Sequence, residues 1–223
     1  MKKPETYTIF KLKQSIKIDG NWNKPQWQDI KAIEINNYMG YEPYFHPFTR
    51  VRMMYDEKNL YGIFQVEDRF VHCINQSYNG PVNEDSCVEF FFSPDNSYRE
   101  RYFNLEINCG GIPHMQYHII PRKKFKDLNV NDIKKIEIAH SLPNIIDSEI
   151  KETITWTIEY RIPISMLEKY SDITYPEKGV SWRANFYKIA EKGSNPHYIT
   201  WSYIDQFEPD FHLPGFFGIL NFQ

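Results

Sequence analysis

The chain has 223 residues, of which 41% are hydrophobic and 25% are charged, and this composition excludes a wholly disordered polypeptide. Lysine and arginine number 26 and aspartate and glutamate 29, so the net charge of −3 lacks the basic excess of a general nucleic-acid-binding protein. Every apolar stretch falls well short of the ~20 residues that a transmembrane helix needs, so we expect no membrane span.

The first residues leave the location of the protein open. Lys2 and Lys3 match the basic start of a secretory signal, but the apolar segment that should come next does not follow them. We expect a cytoplasmic protein if this start is the native one. A periplasmic or extracellular protein is expected if a leader was removed.

Short apolar segments alternate along the chain with turns rich in Gly, Pro, Asn and Asp. Aromatic residues make up 17% of the sequence, and Tyr and Phe favour strands. In chain order, the pattern predicts a short helix at 25–30, strands at 50–55, 60–67, 86–92, 102–108, 114–120, 134–141 and 152–162, a second short helix at 165–170, and strands at 181–190, 197–202 and 216–222. This spacing predicts an all-β fold, a jelly-roll-like β-sandwich that forms a single domain over residues 1–223.

Alternation within these strands separates an apolar face from an unusual polar one. The outward positions carry Arg52, Glu89, Asn104, Glu106, Arg183, Asn185 and Tyr187. Arg and Asn offer planar, directional hydrogen-bond donors and Glu accepts, so a sheet face of this kind suits a ligand with many hydroxyl groups. The alternative is that these residues are ordinary surface side chains that pair with one another across strands.

Four segments follow one another in an order that resembles a known family. They are IKIDG at 16–20 with Trp22 and Trp27, VRMMYDE at 51–57 with the residues up to Asp68, EDSCVEFF at 84–91, and Trp201 leading to HLPGFFGIL at 212–220. Over about 16–222 the chain resembles the family 9 carbohydrate-binding modules and their DOMON-like relatives. The resemblance implies a β-sandwich that binds a sugar non-catalytically on one sheet face and its loops.

The resemblance also implies which residues would hold the sugar. Two aromatic rings clamp the sugar in the family, and Phe211 matches one of them, whereas the position of the other is occupied by Asn83. Tyr78 or Phe70 could supply the missing ring. Glu89 matches the carboxylate that hydrogen-bonds hydroxyls. Polar family positions match Asn104, Arg183, Asn185 and Tyr187, and Arg52 is expected to pair with Glu89 or to reach the ligand.

Partners follow from the same resemblance. The expected ligand is a mono- or oligosaccharide. Association with a glycoside hydrolase, in polysaccharide or oligosaccharide utilisation, is a further expectation. An enzyme remains an alternative, because Glu89 and Glu106 on adjacent strands could form the carboxylate pair of a glycosidase.

The sequence contains candidate ligands for two kinds of cofactor. DOMON-type haem proteins use Met and His axial ligands, for which the candidates are Met53, Met54, Met115, His72 and His114. A structural calcium ion could be held by oxygen ligands, for which the candidates are Asp56, Glu57, Asp68, Asp85 and Asp95. The three cysteines, Cys73, Cys87 and Cys109, are an odd number and are expected to be buried thiols.

Overall fold

The computed structural model describes residues 3–95, 97 and 99–223. Its helices are α1 (Pro25–Gln28), α2 (Val130–Ile133) and α3 (Ile164–Leu167), and 3-10 turns lie at Val82–Glu84 and Pro214–Phe216. Its strands are β1 (Thr6–Lys11), β2 (Ile33–Ile35), β3 (Asn37–Met39), β4 (Phe48–Tyr55), β5 (Asn59–Asp68), β6 (Val71–Cys73), β7 (Cys87–Ser93), β8 (Tyr102–Asn108), β9 (Pro113–Ile120), β10 (Lys124–Asp127), β11 (Glu137–His140), β12 (Ile146–Ile150), β13 (Ile154–Pro163), β14 (Ser181–Ala190), β15 (His197–Thr200) and β16 (Gly218–Phe222). Within the described ranges, no helix has the length and apolar character needed to cross a membrane.

Most strands form two sheets that share one strand, and β6 and β12 pair as a separate two-stranded sheet. The first sheet has the order β10-β9-β8-β7-β14-β16-β1, with β15 joining β14 to β3. The second sheet has the order β1-β4-β5-β13-β11, with β2 paired to β4. Residues 6–9 of β1 pair in parallel with β16, and residues 10–11 pair in parallel with β4, so β1 passes from one sheet to the other. The result is the predicted β-sandwich.

The main core lies between the two sheets and is built mainly from aromatic rings. Phe90 of β7 stands 6.4 Å from Tyr160 of β13, and Phe186 of β14 stands 6.1 Å from Phe64 of β5, measured between ring centroids. Tyr160 lies over Gly62, where an added Cβ would come within 2.3 Å of the ring. A glycine is therefore needed at this point of β5 to let the large ring lie flat in the core.

Most predicted elements are present, and the omissions share a cause. Each predicted strand overlaps an observed one, and α1 and α3 correspond to the two predicted helices. The pattern missed α2 and the strands β1, β2, β3, β6, β10 and β12. Most of these are very short or lie at sheet edges, where alternation over three to six residues gives a weak signal.

The outer face of the second sheet is closed by the segment that follows β1. Trp22 and Trp27 pack there on Tyr61 in a separate apolar cluster. The buried carboxylate of Glu159 on β13 accepts hydrogen bonds from the Gly20 backbone, at 2.8 Å, and from the Trp27 indole, at 2.8 Å. Glu159 thus holds the IDG segment and the second tryptophan against the sheet.

Candidate functional site

A cavity of about 220 Å³ lies on the outer face of the first sheet. The segment 203–217 folds over this face, and its residues Ile204, Phe211 and Phe217 join an apolar cluster with Phe91. The cavity is lined by Asn83, Glu89, Phe91, Glu106, His114, Gln116, Arg122, Ile189, Glu191, Tyr198, Pro209, Asp210, Phe211 and His212. Polar side chains on the sheet therefore face aromatic side chains from the covering segment.

Glu89 is the most deeply buried acid of the cavity. Its neighbours in register are Glu106 on β8 and Tyr187 on β14. Only 2% of Glu89 is exposed, and its Oε2 has no hydrogen-bond partner among the described residues. Burial, and then repulsion from Glu106 and Glu191, raises the pKa of Glu89 well above its usual range. The protonated form is thereby favoured, and a protonated carboxyl can both donate and accept hydrogen bonds.

Glu106 and His114 form the next part of the wall. Glu106 Oε1 accepts a hydrogen bond of 2.7 Å from Asn104, and its Oε2 lies 3.6 Å from His114 Nδ1. The other ring nitrogen of His114, Nε2, lies 3.7 Å from Asp127 Oδ1, so each nitrogen faces a carboxylate just beyond hydrogen-bond distance. Burial disfavours the charged imidazole, but the carboxylates of Glu106 and Asp127 outweigh it and raise the pKa of His114. Glu106 and His114 therefore form a charged, hydrogen-bonding wall of the cavity.

An ion pair joins two segments that line the cavity. Arg122, in the turn between β9 and β10, donates from Nη2 and Nε to Oδ1 of Asp210, at 2.6 and 3.0 Å. The same oxygen accepts the backbone N–H of His212 at 2.9 Å. Arg122 has a φ of +57°, in the left-handed region that non-glycine residues seldom adopt. The charge of this arginine is therefore already matched by Asp210.

The aromatic side of the cavity is centred on Phe211. Its ring stacks on Tyr187 with the centroids 4.1 Å apart, and the Tyr187 hydroxyl donates to the Phe211 carbonyl at 3.1 Å. Tyr198 meets the edge of Phe211 at 6.2 Å. His212 pairs with the Tyr102 hydroxyl at 2.8 Å, and burial lowers the pKa of His212 to about 4, so its ring is neutral near pH 7.

The structure brings Glu89 and Phe211 to the same cavity, and it places three other predicted residues beneath it. Asn104 is fully buried and bridges Glu106 to the Gln116 backbone. Asn185 is also fully buried, where it exchanges two hydrogen bonds with the Ser202 backbone. Tyr187 lies under Phe211. Asn104, Asn185 and Tyr187 therefore support the cavity rather than form its surface.

The remaining predicted residues lie away from the cavity. Arg183, near the start of β14, donates to the carbonyls of Pro214 and Arg99. The Tyr78 ring lies 5.8 Å from the Lys134 ammonium. Phe70 meets Tyr44 edge to face at 6.0 Å. Neither ring replaces the clamp aromatic that is absent at Asn83.

The prediction that Arg52 pairs with Glu89 is wrong. Arg52 is on β4, in the second sheet, and its guanidinium lies 4.2 Å from the Trp22 ring centroid on the outer face of that sheet. Glu89 is on the outer face of the first sheet. Alternation predicts the face of a strand on which a side chain lies, but it does not predict which sheet the strand joins. The prediction therefore treated the outer faces of the two sheets as one face.

Several residues that line the cavity were not predicted as sugar-binding residues. They are His114, Gln116, Arg122, Glu191 and Tyr198. The signal for His114 and Gln116 was present, because they alternate with the core residues Met115 and Tyr117 in the predicted strand at 114–120. Arg122, Glu191 and Tyr198 come from turns or from a short strand, where periodicity gives no orientation.

The candidate metal and haem ligands are spread over the molecule. Among the described residues, no group of three or more His, Cys, Asp or Glu side chains is placed to hold a metal ion. Asp85 accepts from two backbone N–H groups, and Asp68 lies 3.1 Å from the Lys188 ammonium. Met53 is in the main core and Met54 is in the cluster outside the second sheet. The three cysteines are buried free thiols, as predicted.

Comparison with known proteins identifies the family of the chain. The model of carbohydrate-binding family 9 matches residues 15–222. A solved structure from Bacteroides uniformis ATCC 8492, assigned as a carbohydrate-binding protein, is 25% identical with a TM-score of 0.86, and the match covers 99% of this chain and 100% of that one. A search of curated proteins finds no match.

Two further structures share the fold at lower identity. Both are of a carbohydrate binding module family 9 from Caldicellulosiruptor kristjanssonii, in complex with cellotriose and with glucose. Their TM-scores are 0.65 and 0.63, at 14% and 15% identity, and the matches cover 98% and 97% of this chain and 94% and 95% of those chains. Because the family model spans nearly the whole sequence, the chain belongs to carbohydrate-binding family 9 and binds carbohydrate non-catalytically.

Proposed function

We propose that the cavity between the first sheet and segment 203–217 is the carbohydrate site and that it holds one sugar ring. The observation that carries this is the buried Oε2 of Glu89, which has no hydrogen-bond partner among the described residues, beside a cavity of about 220 Å³. Buried polar groups without partners are costly, so a ligand that supplies hydroxyl groups would satisfy them. The cavity is many times larger than one water molecule requires.

Each wall has a defined part in this proposal. Glu89 hydrogen-bonds hydroxyls through Oε2, and His114 adds a ring N–H donor beside it. Phe211 and Tyr198 provide the apolar contact for the C–H faces of the ring. Tyr198 thus takes the place of the clamp aromatic that the family resemblance located at Asn83, although it approaches Phe211 at an angle of 71° rather than in parallel.

Supporting residues keep this surface in place. Asn104 orients Glu106, Tyr187 carries Phe211, and Asn185 holds the chain at Ser202, where the covering segment begins. Arg183 fixes the far end of that segment at Pro214. We place Arg52 and Tyr78 outside the site.

The shape of the site favours binding over catalysis. Glu89 and Glu106 are directly opposite on adjacent strands, so their carboxyl groups belong to one wall. A glycosidase needs two carboxylates that flank the bond to be cleaved. Affinity in an open site of this kind is expected to be modest, on the order of micromolar to millimolar.

The wider role of the chain is part of the same proposal. We propose that residues 1–223 act as one binding module in polysaccharide or oligosaccharide utilisation, working with a glycoside hydrolase. Support comes from the carbohydrate-binding family alone. Co-purification of a hydrolase with the tagged chain from its own host would test this association.

The site itself is tested by calorimetric titration after a screen on a glycan array. The sugars held by the Caldicellulosiruptor structures, glucose and cellotriose, are the first probes. Glu89→Ala should abolish measurable binding. Phe211→Leu, which keeps most of the packing volume but removes the ring, should weaken binding about tenfold or more while costing less than ~1.5 kcal/mol of stability.

A matched acid provides the control. Glu67 is exposed on β5, in the second sheet, and Glu67→Ala should bind as the unaltered chain does. Thermal melting of each variant separates a lost contact from a lost fold. Unchanged affinity in both Glu89→Ala and Phe211→Leu would reject this cavity as the site.

A further inference from the structure

Two exposed aromatic rings meet at the surface near the cavity. Tyr41 is 86% exposed and Phe207 is 57% exposed. Their rings contact each other edge to face, with the centroids 5.4 Å apart. Isolated apolar side chains are normal on a protein surface, but two exposed aromatic rings in contact form a patch that suits an apolar face of a ligand.

Their position connects this pair to the cavity. Phe207 belongs to segment 203–217 and precedes Pro209, which lines the cavity, by two residues. Tyr41 follows Gly40, and an added Cβ at Gly40 would lie 2.9 Å from Pro209 Cγ. Gly40 also has a φ of +73°, so glycine suits both the turn and the close approach. Pro209 therefore lines the cavity and also lies against the turn that carries Tyr41.

Both loops that carry the rings are fixed by buried contacts. Asn195 is almost fully buried, and its side-chain amide bonds the N–H and the carbonyl of Phe45, each at 2.9 Å, which holds the loop that contains Tyr41. Ile204 and Phe211, on either side of Phe207, are anchored in the apolar cluster outside the first sheet. Because the loops are held in this way, their backbone loses little conformational entropy when a ligand binds to the rings.

From this geometry we infer that Tyr41 and Phe207 form a second subsite, which packs on a further sugar ring of an oligosaccharide whose first ring occupies the cavity. The inference rests on the proposed function of the cavity. A sugar ring outside the cavity would keep its hydroxyls in water and place its C–H face on one of the two aromatic rings, beside the other, since the two rings are at 88° to each other. The exposed position of the pair matches that requirement, and the natural ligand is therefore a chain of sugars rather than a free monosaccharide.

Chain-length dependence of affinity tests the second subsite. Calorimetric titrations would use glucose, cellobiose and cellotriose, and in parallel the mono-, di- and trisaccharides of β-linked mannose and xylose. The unaltered chain should bind a trisaccharide more tightly than its monosaccharide. Tyr41→Ala and Phe207→Ala should each weaken trisaccharide binding about three- to tenfold while leaving the monosaccharide affinity unchanged.

Phe10 offers a matched control for the loss of an exposed ring. It is 46% exposed and lies on β1 where that strand pairs with β4, in the other sheet. Phe10→Ala should leave every affinity unchanged. Since the three rings are exposed, each variant should keep the melting temperature of the unaltered chain.

The remaining outcomes separate the two proposals. Equal affinity for mono- and trisaccharides, or a trisaccharide preference that survives in a Tyr41→Ala, Phe207→Ala double variant, would overturn the second subsite and leave the cavity as the sugar site. Failure of the unaltered chain to bind any of the nine sugars would count against the proposed cavity function and against the inference that depends on it.

Discussion

Glu89 and Glu106 lie directly opposite each other on the antiparallel strands β7 and β8, and both are almost fully buried. Two like charges in this arrangement repel each other strongly, because water cannot screen them. Glu89 therefore keeps a proton under conditions in which an isolated carboxyl group would release it. This makes the charge of the cavity, and the stability of the empty protein, sensitive to pH.

The contribution of Glu89 to the stability of the ligand-free chain should fall as the pH rises above about 4.5, the ordinary pKa of its carboxyl. Burial, and then Glu106, raises the pKa of Glu89 in the folded state, so the folded chain retains a proton that the unfolded chain releases. This stabilising contribution is complete below the unfolded pKa and is lost toward the folded pKa. Through this one group, the free energy of unfolding falls by at most about 1.4 kcal/mol per pH unit.

Urea unfolding at several pH values between 5 and 8 measures this effect. Glu89→Gln removes the titrating group, so the stability of this variant should rise relative to that of the unaltered chain as the pH increases. Burial lowers the pKa values of His118, His197 and His212, which act in the opposite direction but are common to both chains. Glu67→Gln, on the second sheet, should retain the full slope. Identical slopes in Glu89→Gln and in the unaltered chain would show that Glu89 does not titrate abnormally.

The cavity should discriminate against acidic sugars. Glu89, Glu106 and Glu191 all line it, whereas the charge of Arg122 is matched by Asp210 at 2.6 Å. At pH 7 and low salt we expect glucuronate to bind at least about tenfold more weakly than glucose. Competition titrations would measure the ratio, and Glu106→Gln should reduce it. Equal binding of the two sugars would mean that these carboxyl groups are neutral or remote from the ligand.

Lys188 should be essential for stability although it lies far from water. It is fully buried in the sandwich, where its Nζ is 3.1 Å from Asp68 Oδ2 and 2.7 Å from His197 Nε2. Lys188→Met leaves a buried carboxylate without its cation and should cost about 3–5 kcal/mol. Adding Asp68→Asn should recover much of this loss, as urea unfolding would reveal. A double variant no more stable than Lys188→Met alone would contradict the pairing.

Glu159 should matter for folding and not for sugar binding. Its carboxylate accepts from the backbone of Asp19 and Gly20, the Lys24 ammonium and the Trp27 indole. Glu159→Gln replaces an acceptor oxygen by a donor and should cost about 2–4 kcal/mol. The sugar affinity of the folded variant should be unchanged, because the cavity is on the other sheet.

A surface ion pair between β11 and β13 serves as the comparison for Glu159. Glu137 and Arg161 are 2.7 Å apart and both are substantially exposed. Glu137→Gln should cost less than about 1 kcal/mol, since water screens such pairs. Equal losses for Glu159→Gln and Glu137→Gln in urea unfolding would contradict the role assigned to the buried carboxylate.

Local periodicity was sufficient to predict the strands and the faces of their side chains. It placed Glu89 and Asn104 opposite the core residues Phe90 and Phe103, as the structure shows. It could not predict that segment 203–217 would cover part of that face. For this reason Asn185 was taken for a surface residue, although the structure buries it against Ser202.

The assembly of the site depended on contacts between distant segments. Arg122 meets Asp210 through a turn whose backbone is in the left-handed region, and no sequence pattern marks that pairing. Tyr198 reaches the cavity because β15 pairs with β14 and β3 at once. The family resemblance supplied Glu89 and Phe211, which lie far apart in the sequence and line one cavity.

The shared strand β1 has a consequence for the handling of this protein. A shortened chain that began at residue 12 would leave β16 and the end of β4 without their parallel neighbour. Both would then present open rows of backbone N–H and C=O groups, to which strands of other molecules can add. We expect such a chain to self-associate, so β1 protects the protein from aggregation as well as completing its fold.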